Sequence, residues 1–189
     1  KIMDYFTPRF YLGMTATPER SDEFDIYTLF DHNIIYEIRL KDAMEEELLC
    51  NFNYYGVTDN ALDVNDTSDE RVEYIIENIE FYGYSGSRLK GLVFCNSVSN
   101  ARALSEKFNE HGYKTTYLSG SNSQSEREEQ IKRLISDDVN GDILDYIFTV
   151  DIFNEGVDIS EINQIVMLRE TKSSIIFTQQ LGRGLRECD

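Results

Sequence analysis

Basic residues are scarce in this chain: 18 lysines and arginines stand against 35 aspartates and glutamates, and the formal net charge is -17. That deficit excludes the broad basic surface on which simple nucleic-acid binders depend. Any contact with phosphates must therefore be local, made by a few backbone amides and hydroxyls. Residues 19–80 carry most of the excess, with 18 acidic residues against 4 basic ones, so this segment is a candidate docking region for a protein partner.

Membrane, disulfide and zinc signals are absent as well. No run of about 18 apolar residues occurs, which excludes a transmembrane helix. Cys50, Cys95 and Cys188 are far apart and lack CxxC spacing. We therefore predict no metal site and no disulfide framework, and we expect a cytoplasmic protein. The chain begins at Lys1 without a signal-peptide pattern, and we expect it to be a piece of a longer polypeptide.

The sequence also lacks the usual means of holding a nucleoside triphosphate. It contains no GxxxxGK loop followed by Ser or Thr, and no Asp-Glu pair after a buried strand that could hold magnesium. A chain without these parts is half of a nucleotide-hydrolysing machine, so we expect the 189-residue chain to be inactive by itself.

The later two thirds of the chain alternate between apolar runs and helical patterns. Predicted strands cover residues 91–95, 114–118, 144–150 and 163–168, and predicted helices begin near Ser68, Ser97 and Ser123 and cover 173–180. This alternation predicts an α/β fold, a parallel sheet with helices on both faces. Ligands of such sheets bind beyond the carboxyl ends of the strands.

The first third of the chain is predicted to differ. Apolar and aromatic patterns predict a short buried strand at 10–14, an edge strand at 34–40 and a further strand at 51–57. Short helical stretches are expected within 19–30 and 41–49, and residues 60–69 are expected to form an exposed loop. We interpret this part as an extended N-terminal arm followed by an acidic connecting segment at 25–66.

One polar cluster near the end of the sequence suggests phosphate chemistry. Gln179, Arg183 and Arg186 are spaced so that a helical turn places them on one face. Two guanidinium forks could neutralise the charge on a departing phosphoryl group. Gly182 and Gly184 each cost about 1 kcal/mol inside a helix, which favours close approach of a ligand there. The alternative is that both arginines are ordinary solvated surface residues.

Four segments of this sequence, in order, resemble conserved motifs of superfamily 2 helicases and translocases. They are the third motif at 15–17, the fourth at 91–97, the fifth at 149–158 and the sixth, in its QxxGRxxR form, at 179–186. Residues 14–20 and 36–56 are similar to the type III restriction-like DEAD/DEAH group. The resemblance implies a remnant of a first RecA-like domain at 1–24 and a second RecA-like, helicase C-terminal domain at 67–189.

The resemblance implies a role for each matching position on the nucleotide side. Arg183 and Arg186 would be arginine fingers that reach the γ-phosphate of ATP. Gly156, Asp158 and Gln179 would lie on the nucleotide side of the cleft. ATP and Mg²⁺ would be held mainly by the first RecA-like domain of the same polypeptide, which this chain lacks.

The resemblance also implies contacts with one nucleic-acid strand. The residues expected to touch its sugar-phosphate backbone are Asn96, Ser97, Ser119, Gly120 and Thr149. Thr15 and Thr17 would couple the nucleic-acid and nucleotide sites. DNA is expected from the subgroup alone, and RNA remains open.

Simpler interpretations stand beside these roles. Ser97 and Ser123 could be helix caps only, Gly120 and Asp158 could serve turns, and Thr15 with Thr17 could merely end a strand. Two other functions also remain open for the chain. One is a non-catalytic interaction module that uses segment 19–80, and the other is the translocase part of a restriction or repair nuclease.

Overall fold

The computed structural model describes residues 5–15, 25–57, 63, 65–138, 140–150, 152, 159–169 and 174–182. Its elements are a 3-10 helix at Ile26–Phe30, α1 at Leu40–Glu45, α2 at Asp69–Tyr82, β1 at Gly91–Phe94, α3 at Val98–Glu110, β2 at Thr115–Leu118, α4 at Gln124–Ile135, β3 at Tyr146–Thr149, β4 at Gln164–Met167 and α5 at Ser174–Leu181. Over these ranges no helix is both long and apolar enough to cross a bilayer.

The four strands form one parallel sheet in the order β2-β3-β1-β4. Chain order and spatial order differ because each parallel pair needs a crossover connection. β1 and β3, the two central strands, are buried along their whole length, as expected for a sheet covered on both sides. The predicted parallel sheet is confirmed.

Side chains alternate between two apolar cores along each strand, because successive residues of a strand point to opposite faces. On one face, Val93 and Phe148 pack with residues of α2 and α3. On the other face, Leu92 and Ile147 pack with Leu134 of α4. Helices therefore cover both faces of the sheet, as predicted.

Three helices of this layer begin at a serine cap. The hydroxyl oxygens of Ser68, Ser97 and Ser123 accept hydrogen bonds from backbone N–H groups three residues later. A cap of this kind stabilises a helix by about 1 kcal/mol. The starts of α2, α3 and α4 were predictable because the signal is local in sequence.

The strands predicted in the first third are wrong. Residues 10–14, 34–40 and 51–57 form no strand, and residues 10–14 are exposed rather than buried. A strand needs a hydrogen-bonded neighbour, and apolar content in these segments cannot supply one. Two helical expectations are confirmed by the 3-10 helix at Ile26–Phe30 and by α1.

Segment 51–57 nevertheless packs against the sheet layer through its aromatic rings. The ring of Tyr55 stacks on Tyr82 of α2 with centroids 4.1 Å apart, and Tyr54 meets Phe177 of α5 edge to face at 5.8 Å. The residues predicted as a strand therefore join α2 to α5 by ring contacts. The domain limits at 24/25 and 66/67 stay predictions.

Candidate functional site

The carboxyl ends of all four strands meet at one edge of the sheet. Thr149 is in register with Phe94 on one side and Leu118 on the other, and Phe94 is in register with Met167. The ladder continues one step further, because the N–H of Cys95 donates to the Thr149 carbonyl at 2.9 Å. We call the residues at and just beyond these ends, 95–97, 119–122, 149–150 and 168–169, the carboxyl rim.

All five residues predicted to contact nucleic acid lie on the carboxyl rim. They are Asn96, Ser97, Ser119, Gly120 and Thr149. Parallel topology brings them together from positions more than 50 residues apart in the chain. Their common location is observed, whereas their roles stay predictions.

The loop after β2 is fixed by short-range hydrogen bonds. Ser119 donates its backbone N–H to Oδ1 of Asn122 at 2.8 Å, and its hydroxyl shares a hydrogen bond with that of Ser121 at 2.8 Å. Gly120 is exposed, and a Cβ built on it would meet no atom within 4 Å. A phosphate can therefore approach the backbone of this loop closely.

Arg127, which is not among the site residues predicted from the sequence, holds the loop after β2 in place. Its Nη2 donates to the carbonyl of Gly120 at 3.1 Å and to that of Ser119 at 3.4 Å. The guanidinium therefore holds both carbonyl oxygens to the α4 side of the loop. Its place on α4, eight residues after Ser119, was a signal available in the sequence, but the direction of its side chain was not.

Two helix N-termini open on the carboxyl rim, and they differ in charge. The first turn of α3 contains no acidic residue, so its backbone N–H groups favour an anion. At α4, Glu126 closes a capping box with Ser123, and the hydrogen bonds from Ser123 lower the pKa of that carboxyl. A carboxylate already occupies the start of α4, so α3 is the better anion site.

Ser97 is a helix cap, as its simpler interpretation proposed. Its Oγ accepts the N–H of Asn100 at 3.2 Å and lies 2.9 Å from Oγ of Ser99. Ser123 caps α4 in the same way. A capping serine at a helix end that favours anions can also contact a phosphate. The contact of Ser97 with the nucleic-acid backbone therefore stays a prediction.

Thr149 carries a buried hydroxyl with no hydrogen-bond partner. The residue has no exposed surface, and its Oγ1 is among the few buried polar atoms without a partner in the described part of the chain. Leaving such a group unsatisfied costs about 1–3 kcal/mol. The hydroxyl reaches a ligand only if the carboxyl rim around it opens.

The predicted nucleotide side falls largely beyond the described residues. Gly156, Asp158, Arg183, Arg186 and Thr17 all lie outside them. Gln179 is half-buried near the end of α5, and Thr15 is exposed in a stretch without regular structure. Their assignments to nucleotide binding and coupling therefore rest on sequence alone.

A groove beside β4 reaches the carboxyl rim only at Leu168, and no metal-ligand cluster marks the rim within the described residues. The groove has a volume of about 1400 Å³ and runs between segment 50–57 and α2, and none of the five predicted nucleic-acid contacts lines it. Within the described ranges no three His, Cys, Asp or Glu side chains converge as metal ligands. The candidate site is instead a polar edge formed by backbone and hydroxyl groups.

Comparison with known proteins gives a family match for most of the chain. Residues 70–188 match the helicase conserved C-terminal domain. The Saccharomyces cerevisiae protein IRC3, assigned by name as an ATP-dependent helicase, is 26% identical over 93% of this chain and 27% of its own length. The DEAD-box ATP-dependent RNA helicase CshB of Staphylococcus aureus is 28% identical over 49% of this chain and 19% of its own.

A solved structure supports the fold over nearly the whole length. A fragment assigned to the HsdR subunit of a type I restriction enzyme from Vibrio vulnificus superposes with a TM-score of 0.68, at 23% identity. The match covers 98% of this chain and 38% of that fragment. The chain thus spans between about a fifth and two fifths of the proteins it matches here.

Proposed function

The chain belongs to the helicase conserved C-terminal domain family of superfamily 2, and we propose that it is the second RecA-like lobe of an ATP-dependent nucleic-acid helicase or translocase. Two of its relatives are named as ATP-dependent helicases, which supports ATP as the substrate. The first RecA-like lobe of the same polypeptide is its proposed partner. The 73% of IRC3 that this match does not cover leaves room for such a lobe in a relative.

The observation that carries the proposal is the convergence of polar groups on the carboxyl rim. A single strand that crosses this edge meets the exposed backbone at Gly120 and the acid-free N-terminus of α3. Both are backbone donors, which bind phosphates without a basic surface. This arrangement accounts for a phosphate-binding function in a chain whose net charge is -17.

On the nucleotide side, Arg183 and Arg186 complete the charge around the γ-phosphate of ATP when the two lobes close. Their guanidinium forks match phosphate oxygens and balance charge that builds up in the transition state. Gly156, Asp158 and Gln179 line the same side, and Thr15 and Thr17 link it to the strand. Magnesium would be held mainly by the first lobe, where it would supply further neutralisation of the phosphates.

ATP hydrolysis then lets the two lobes separate. This lobe keeps its contacts with one nucleic-acid strand at the carboxyl rim, so the strand moves relative to the first lobe. DNA is the proposed substrate, from the type III restriction-like resemblance. RNA is the alternative, because CshB is named as an RNA helicase.

The test uses the full-length polypeptide and fluorescein-labelled single strands of DNA and RNA with the same sequence. Titration with and without a non-hydrolysable ATP analogue should show binding that the analogue strengthens. Absence of binding at low salt would instead favour a non-catalytic interaction module. Preference for the RNA strand would overturn the choice of DNA but leave the motor assignment intact.

A glycine pair supplies the matched control for this titration. Gly120→Glu adds a carboxylate at the carboxyl rim without a steric clash, and we expect affinity to fall about tenfold, or ~1.4 kcal/mol. Gly56→Glu makes the same change at another exposed position with open space, which is not one of the rim residues. Equal losses in both variants would show that only net charge matters.

A further inference from the structure

A second cavity lies at the opposite edge of the sheet. It has a volume of about 490 Å³ and is lined by residues at the amino ends of the strands and the ends of two helices, among them Glu80, Gly83, Tyr84, Gly112, Tyr113 and Asp145. This volume falls in the range of about 300–1,000 Å³ typical of ligand pockets. We call it the amino-edge cleft.

Aromatic rings and carboxylates form the walls of the amino-edge cleft. The hydroxyl of Tyr113 donates to Oε1 of Glu80 at 2.9 Å, and Oδ2 of Asp145 accepts the N–H of Lys114 at 2.8 Å. The rings of Tyr113 and Tyr146 lie 5.9 Å apart. Each carboxylate therefore has a second oxygen for a ligand, next to an aromatic wall.

The backbone adds negative potential at the same place. Gly83 and Gly112 follow the C-terminal ends of α2 and α3 closely, so both helices direct those ends at the cleft. A helix C-terminus acts as roughly half a negative charge. α2 has no basic residue in its last turn to offset it, whereas Lys107 in the last turn of α3 is paired with Asp69.

Two tyrosines on the cleft wall have a raised pKa, chiefly because of burial and in smaller part because of the nearby carboxylates. Burial raises the pKa of Tyr113, and the hydrogen bond and charge of Glu80 and the charge of Asp145 raise it further. Burial also raises the pKa of Tyr146, with added contributions from Tyr113 and Asp145. The groups that face the cleft thus disfavour additional negative charge.

One cation, Arg88, also lines the cleft, but its donors point into the fold. Its Nη1 donates to the carbonyl of Leu144 at 2.7 Å and to that of Leu89 at 3.1 Å, and its Nη2 donates to Leu134. The side chain is only 10% exposed. Two carboxylates and two helix ends outweigh this single positive charge, so the cleft favours a cation over an anion.

We propose that the amino-edge cleft binds an arginine side chain from a basic segment of a partner protein. A guanidinium is flat enough to stack on the rings of Tyr84 and Tyr113, and its fork can donate to the carboxylates of Glu80 and Asp145. The adjoining outer face of α2 carries exposed Glu70, Glu73 and Glu77, which suit further basic residues of the same segment.

This inference does not depend on the helicase assignment. The cleft lies at the amino ends of the strands, whereas the carboxyl rim lies at the other ends. A partner bound here leaves the carboxyl rim open for a nucleic-acid strand. Failure of either proposal would leave the other standing.

The experiment titrates the ¹⁵N-labelled 189-residue chain with the peptide acetyl-Gly-Arg-Gly-amide and follows backbone amides by NMR. We expect saturable shifts at Gly83, Gly112 and Tyr113 with a Kd on the order of 1 mM. The matched peptide with citrulline, which has the same shape without the charge, should leave these amides in place. No shift at peptide concentrations of about 10 mM would overturn the proposal.

Two glutamates one helical turn apart test whether binding depends on the cleft itself or on the general negative charge of α2. Glu80→Gln keeps an acceptor for Tyr113 and should weaken binding about fivefold, on the scale of one charge-assisted hydrogen bond. The tripeptide carries a single arginine and no further basic residue for the outer face of α2, so Glu77→Gln, which removes the same charge outside the cleft, should change its affinity less than about twofold. Equal effects, or shifts spread along α2, would reduce the interaction to diffuse charge attraction.

Substitutions of the exposed residue Tyr84 test whether the guanidinium stacks on the aromatic wall, and they do not disturb the core. Tyr84→Phe keeps a ring and should retain affinity, while Tyr84→Leu should lower it about threefold, in line with an exposed cation–π contact. Identical affinities for the two variants would contradict stacking on this ring.

Discussion

The two edges of the same sheet are built differently. At the amino edge, side chains make hydrogen bonds to partners 46 to 85 residues away in the chain, through Arg88, Asn163 and Gln164. At the carboxyl rim, the side-chain hydrogen bonds that hold the loop after β2 and the start of α3 span 2 to 8 residues, and the hydroxyl of Thr149 has none.

Long-range bonds tie distant elements together, whereas short-range bonds shape only their own loop. The side chain of Asn163 makes three of the long-range bonds. Its Oδ1 accepts the N–H of Lys90 at 2.9 Å, and its Nδ2 donates to the carbonyls of Ser85 and Arg88 at 2.6 and 2.7 Å. The amino edge therefore contributes to stability, and the carboxyl rim is left able to exchange its partners for those of a ligand. Substitutions at each edge can test this division.

The largest expected effect belongs to the arginine-finger chemistry proposed for Arg183. In the full-length protein, Arg183→Ala should lower ATP turnover by about 10³-fold or more while stability changes little, because an arginine finger acts on the transition state. Steady-state ATP hydrolysis and thermal unfolding measure the two quantities. Arg102→Ala, which removes an exposed arginine paired with Glu106 on α3, is the control. Near-normal turnover in a folded Arg183 variant would remove the assignment.

The second prediction compares one substitution at the two edges. Asn163→Leu should lower the free energy of unfolding by about 2 kcal/mol, because it leaves the part-buried N–H of Lys90 and carbonyl of Arg88 without this partner and removes an exposed bond to the Ser85 carbonyl. Asn122→Leu removes the acceptor of Ser119 and should cost about 1 kcal/mol. Urea unfolding of the 189-residue chain measures both. Equal costs would contradict the contrast between the edges.

Sequence patterns predicted the parts of this fold that are decided locally. Ser68, Ser97 and Ser123 mark helix starts because a cap acts within four residues, and apolar runs mark buried strands such as Gly91–Phe94. The strands expected at 10–14, 34–40 and 51–57 failed because pairing is a property of distant neighbours. The apolar content of a segment cannot show whether a neighbouring strand is available for pairing.

The location of the carboxyl-rim residues could also be predicted from the sequence. It was predictable once parallel topology was assumed, because all strands of such a sheet end at one edge. The contact of Arg127 with Gly120 and the unsatisfied hydroxyl of Thr149 depend on side-chain direction, which no spacing encodes. The amino-edge cleft could not be predicted from the sequence because its walls come from three separate stretches, 79–89, 112–113 and 145–146.

A third prediction exchanges one hydroxyl for a methyl group at each edge. Thr149→Val removes a buried hydroxyl without a partner, so stability should stay equal or rise by up to about 1 kcal/mol. Thr115→Val, at the start of β2, breaks hydrogen bonds with the hydroxyl and carbonyl of Ser105 and should cost about 1–2 kcal/mol. Thermal unfolding measures the change in stability of each variant. A destabilised Thr149→Val variant would show that the hydroxyl of Thr149 has a hydrogen-bond partner.

The smallest effect concerns an ion pair at the amino edge in which the lysine is buried and the carboxylate is exposed. The hydrogen bond and then the charge of Lys90, whose Nζ lies 2.7 Å from Oδ1, lower the pKa of Asp137. A carboxyl with a lowered pKa in the folded state contributes stability above its unfolded pKa of about 3.9 and loses it as the pH falls through the folded value. Asp137→Asn should therefore flatten the fall of the urea midpoint below about pH 4, relative to Asp138→Asn at the adjacent position. Because Asp137 is exposed, the change should be small, and identical pH profiles for the two variants would show that the pair contributes nothing.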